Sequence, residues 1–79
     1  MARTFASKRH EALVGFLKKK RKDAGLTQVQ VAERLDRYQS FVTDYERGQK
    51  RIDAVELVQI AEAIGFDPIE AVKLIKRTK

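Results

Sequence analysis

An all-α fold is what this sequence predicts, and three observations predict it. Apolar residues recur at helical spacing through most of the chain. Only one proline and four glycines occur in 79 residues, and Gly25, Gly48 and Gly65 fall between the periodic stretches. Twice, at Thr27/Gln30 and Asp53/Glu56, a short acceptor side chain is followed three residues later by Gln or Glu, the sign of a helix start.

The elements follow in order. The first helix is expected to open at Ser7 and run to about Ala24, with Leu13, Phe16 and Leu17 as its apolar stripe and Gly25 as its C-cap. Residues 1–7 show no periodic pattern and are expected to form a flexible segment, with Phe5 able to fold back onto the body. In Leu26-Thr27-Gln28-Val29-Gln30-Val31, Thr27 is the N-cap, Gln30 completes the capping box and Leu26 can staple onto Val31. This second helix should bury Val31, Ala32 and Leu35 and end near Asp36. The third runs from about Tyr38 to Arg47 and stops at Gly48.

Ile52-Asp53-Ala54-Val55-Glu56-Leu57 repeats the same grammar, with Asp53 as cap, Glu56 completing the box and Ile52 stapling to Leu57. Leu57, Val58, Ile60, Ala61 and Ile64 then make a largely apolar fourth helix ending at Gly65. Pro68 takes the favoured first position of a fifth helix, whose apolar residues are Ile69, Val72, Leu74 and Ile75. Five short helices thus occupy residues 8–79 as one domain.

Composition narrows the chemistry. There is no cysteine and a single histidine, so neither disulfides nor a metal site can staple the fold, and no cofactor is expected. Stability must come from packing, which 43% hydrophobic residues can supply. A formal charge of +6 favours an anionic partner, nucleic acid or a membrane surface. No apolar run approaches the roughly 18–20 residues of a membrane span, and MARTFASKRH has no apolar signal region, so a soluble intracellular protein is expected. No nucleophile–base–orienter set is visible, so no enzyme is expected; helix capping accounts for the paired carboxylates Asp53 and Glu56.

The third helix poses the functional question. Val42 and Tyr45 share one face and suit a core, leaving Gln39, Ser40, Thr43 and Asp44 on the other. A merely solvated face would more cheaply carry Lys and Glu. The planar amide of a Gln matches adenine N6 and N7, and Ser or Thr hydroxyls serve either a base or a phosphate oxygen. Phe41 fits either the core or contact with a thymine methyl.

The segment from Ala24 to Gly65 resembles the phage-repressor and Cro type of helix-turn-helix domain, the XRE family, through GLTQ, the Ala32 and Leu35 spacing, QSxV, YExG and IAEAIG. With Arg21 upstream, the likeness spans more than half the chain. It implies a compact five-helix, lambda-repressor-like domain whose third helix enters the major groove of DNA. Gln39, Ser40, Thr43 and Asp44 would then read bases, and Thr27, Gln28, Arg37, Tyr38, Lys50 and Arg51 would contact phosphates. Arg21 and Glu46 match a partly buried ion pair of that family, joining the first helix to the third. The resemblance further implies a sequence-specific transcriptional regulator, expected to be a cytoplasmic repressor of bacterial or phage origin. It would act as a homodimer, formed before or upon binding a palindromic operator; Ile69, Val72 and Ile75 share one stripe that serves either the core or a dimer seam, and Leu74, off that stripe, is left over for a partner chain. No small-molecule ligand is expected.

The departures are specific. Asp36 stands where the family's turn carries Gly; it either adopts left-handed backbone or caps the third helix, with Gln39 three later. Tyr38 replaces a small residue or Pro, and Arg37 an apolar one. Asp44 sits where Arg, Lys or Gln is frequent, and either accepts from cytosine N4 or pairs with Arg47. The run Lys18-Lys19-Lys20-Arg21-Lys22 reads mostly as a solvated face adding long-range attraction, and His10 as ordinary surface. A protein-interaction scaffold on the same fold is the rival reading; a membrane-surface binder built on the first helix is weaker, because its apolar face is needed for the core.

Overall fold

The structure, a computed structural model, describes residues 7–79. The expected flexible segment and the fold-back of Phe5 lie outside these residues, except for Ser7, whose hydroxyl accepts from the His10 amide and caps the first helix. Five helices follow: α1 (Lys8–Asp23), α2 (Gln28–Leu35), α3 (Gln39–Glu46), α4 (Ala54–Ile64) and α5 (Pro68–Arg77).

Each boundary has a local cause. Both capping boxes form, Thr27 with Gln30 and Asp53 with Glu56, satisfying amides that the first helical turn leaves open. Ala24 rather than Gly25 is the α1 C-cap; Gly25 follows at φ +72°, donating to Lys22 O while Leu26 donates to Arg21 O. Asp36 closes α2 the same way. Its φ of 56° is the only positive one among described non-glycine residues, with Asp36 N–H donating to Glu33 O and Arg37 N–H to Ala32 O. Asp36 therefore serves α2, and α3 starts at Gln39 behind Tyr38, an N-cap residue whose side chain makes no capping hydrogen bond.

The core is drawn from all five helices. Leu17, Val31, Val42, Tyr45 and Ile60 are its largest fully buried side chains, each worth roughly 1.5–3 kcal/mol of burial. α1 packs on α3 and α5, and α2 packs on α3 and α4, so α3 is held between α1 and α2. Leu26 and Ile52, the proposed staples, pack at the core's edge, as does Leu35. Phe41 is resolved into the core, 5.5 Å edge-on to Tyr45.

His10 differs from its reading as surface: it is 5% exposed. It shares a stripe with Leu13, Val14 and Leu17, and its ring hydrogen-bonds the Lys50 backbone. Burial, then the nearby Arg51 charge, hold its pKa below the ordinary histidine value.

A candidate nucleic-acid interface on helices two and three

Three residues, Asp36 to Tyr38, join α2 to α3, so the two short helices are rigidly paired. The inner face of α3 is locked by packing and by one ion pair. Arg21 Nε donates to Glu46 Oε2 at 2.6 Å, Nη2 donates to Oε1 at 2.9 Å, and Nη1 donates to Leu26 O at 2.9 Å. One planar fork thus ties α1 to α3 and to the loop before α2. Burial would raise the Glu46 pKa, but hydrogen bonds from Arg21 and Gln28 and the charges of Arg21 and Lys18 hold it below its ordinary value.

Gln28 extends this lock to the surface. Its Nε2 donates to Glu46 Oε1 at 3.0 Å, and its Oε1 accepts from Thr43 Oγ1 at 2.9 Å and from Gln39 Nε2 at 3.4 Å. Amide and hydroxyl orientations across α2 and α3 are therefore set by one chain of bonds running back to Arg21. Gln39 and Ser40 are exposed, whereas Thr43 and Asp44 are half-buried. Asp44 and Arg47 form no ion pair among the described residues.

The remaining candidates flank this face. Thr27 is exposed, with its hydroxyl engaged by Gln30 N–H. Tyr38 is 87% exposed beside the turn. Arg37, from the turn, and Lys50, from the loop after α3, converge on Phe41, at 4.2 Å and 5.0 Å from its ring centroid. Both also reach Glu56, Arg37 Nη2 at 3.5 Å from Oε2 and Lys50 Nζ at 3.4 Å from Oε1. Arg51 is exposed in the same loop. The second role of Glu56 was hidden in the sequence, because capping already accounted for it and the contact spans 19 positions.

The basic run divides. Lys18, Lys19 and Lys22 are exposed, Arg21 is buried, and Lys20 pairs with Glu70 at 3.1 Å while lying over Phe16 and Phe66. On α5, Ile69 and Val72 are about half exposed, whereas Ile75 is partly buried and packs against the core. Leu74 is half-buried. Among the described residues no helix is long and apolar enough to cross a membrane.

Two short helices set by a tight turn, the first capped at Thr27 and the second presenting an outward polar edge over an apolar back, define a helix-turn-helix module. A family model described as helix-turn-helix domain matches residues 12–74. The chain belongs to that family, in its XRE type. A solved XRE-family like protein from Pseudomonas syringae pv. tomato is 37% identical, with a TM-score of 0.81, covering 86% of this chain and 83% of that one. The clp gene regulator ClgR from C. glutamicum is 25% identical, with a TM-score of 0.78 over 86% and 88% of the two chains. The restriction-modification controller protein C.AhdI from Aeromonas hydrophila is 27% identical, with a TM-score of 0.73 over 78% and 94%. No curated protein matches the sequence significantly.

Proposed function

We propose that this protein is a sequence-specific regulator of transcription that binds double-stranded DNA through the major groove and represses by occluding a promoter. One observation carries the reading: Gln39 and Ser40 stand exposed on α3, while Val42, Tyr45 and the Arg21–Glu46 pair immobilise its back. A side chain that reads a base must be both accessible and fixed, and this helix end is both. Gln39, Ser40 and Thr43 read base edges, with Asp44 placed to accept from a cytosine N4. Thr27, Gln28, Arg37, Tyr38, Lys50 and Arg51 set the register on the phosphates. Gln28 reaches them only by exchanging part of its internal bonding, so its role on DNA is shared between phosphate and α3.

Two of the structural relatives, ClgR and C.AhdI, are themselves named as a gene regulator and a controller protein, which supports a regulatory role here. Ile69 and Val72 offer an apolar strip on α5 for a second copy, while half-buried Leu74 lies on another face of the helix. A two-fold dimer would place two α3 helices on half-sites about 34–36 Å apart, on a palindromic operator in the cytoplasm.

Selection from random duplexes tests the proposal. A regulator enriches one palindromic motif, and Gln39→Ala relaxes a single base position by about 1–3 kcal/mol without melting the fold. Enrichment of no motif, with attachment lost uniformly as salt rises, would turn the reading to an interaction scaffold.

A further inference from the structure

Glu56 is the one carboxylate among the described residues that engages two of the cations assigned to phosphates. Its Oε1 lies 3.4 Å from Lys50 Nζ and its Oε2 lies 3.5 Å from Arg37 Nη2. Both cations also lie over the Phe41 ring, so two side chains 13 positions apart meet at one point. The Glu56 side chain is 15% exposed, and it is fixed independently: Oε1 accepts from Asp53 N–H at 3.0 Å, and Glu56 N–H donates to Asp53 Oδ1 at 2.7 Å. The cations are more accessible, with Arg37 44% and Lys50 33% exposed, and Lys50 Nζ also donates to Arg51 O at 2.8 Å. An anchored anion beneath two accessible cations at a helix start is arranged like a phosphate already in place.

We infer that Glu56 is a built-in counter-charge of the DNA interface. It holds Arg37 and Lys50 convergent over Phe41 and subtracts from their attraction to the backbone. The inference rests on reading this face as the DNA interface. The consequence concerns the balance of binding: attraction common to every duplex is trimmed, which leaves discrimination to α3. Glu56 is a positioning residue here, touching the cations rather than DNA.

Glu56→Gln separates the charge from the cap, because Gln also completes a capping box. The test titrates the native chain and E56Q against a random-sequence 30-base-pair duplex at several salt concentrations, well below the melting temperature of both. One uncancelled positive charge steepens the salt dependence by about 0.9 in log–log slope, so E56Q should gain in affinity, by about threefold more at ~50 mM than at ~200 mM salt. The gain should disappear in the Arg37→Gln/Lys50→Gln background, which a purely structural role for Glu56 would not produce. Native-like or weaker binding by E56Q with an unchanged slope overturns the inference while leaving the DNA reading intact. Failure of both chains to bind any duplex overturns the DNA reading and this inference with it.

Discussion

Glu46 and Glu56 are both carboxylates flanked by basic side chains, and they behave as opposites. Glu46 has a side chain 3% exposed and takes a bidentate fork from Arg21, itself 10% exposed, at 2.6 and 2.9 Å. Glu56 has two partners at 3.4–3.5 Å whose side chains are a third or more exposed. Taking two charges out of water is costly, and a lone survivor of a buried pair has no solvent to fall back on. A superficial pair keeps its water, so losing a partner costs little. The same chemical pairing is thus an architectural lock in one place and an adjustable charge balance in the other.

The largest effect should break the lock. Arg21→Ala leaves Glu46 buried without its fork and should cost about 3–5 kcal/mol of folding stability, measured by denaturant or heat unfolding. A variant as heat-stable as the native chain would erase the contrast. Recognition should weaken secondarily, because Arg21 does not itself reach the outward face but anchors the bonds through Glu46 and Gln28 that orient Thr43 and Gln39.

Acid titration sharpens the same contrast. The folded-state pKa of Glu46 is held below its ordinary value of 4.5, so the unfolded chain binds the proton first as pH falls. Its contribution is therefore fully present above about pH 4.5 and is lost as pH falls through the lower, folded value. Glu46→Gln should flatten the stability–pH curve in that window, at the expense of stability near neutrality. His10 adds an acid sensitivity of the same sign, starting below its ordinary 6.5, because its folded pKa is also lowered. Unfolding midpoints followed from pH 7 to pH 3 should show both steps.

At Glu56 the effects should be smaller and should divide by chemistry. Glu56→Ala removes one arm of the capping box and should cost about 1 kcal/mol, read as a lowered melting temperature. Glu56→Gln keeps that arm and should stay within about 0.5 kcal/mol of the native chain. Equal losses from both variants would mean that the carboxylate charge matters to folding, and the contrast with Glu46 would narrow. In the opposite direction, Asp36→Gly should raise stability by about 0.5–1 kcal/mol, since glycine adopts the left-handed turn without the side-chain penalty.

Much of this was legible in the sequence, for identifiable reasons. Helix starts are local: Thr27 and Gln30, or Asp53 and Glu56, satisfy each other within one turn, so spacing alone reveals them. The burial of Val42 and Tyr45 follows from their three-residue separation. His10 was legible too, three residues before Leu13 on the same stripe, but its polarity argued for the surface and packing prevailed. The shared use of Glu56 by Arg37 and Lys50 was not legible, because spacing carries no information about which loops meet. Likewise, Ile69 and Val72 looked the same as Ile75 in the pattern, and only the docking of α5 on α1 sorted them.

Five helices, the capping boxes at Thr27 and Asp53 and the polar edge of α3 were readable from sequence, since each depends on hydrogen bonds and side-chain directions reaching no further than four residues. Tertiary structure alone decided how that edge is held. The chain from Arg21 through Glu46 and Gln28 to Thr43 and Gln39 exists because α1, α2 and α3 meet at one place, where burial makes every unmade bond expensive.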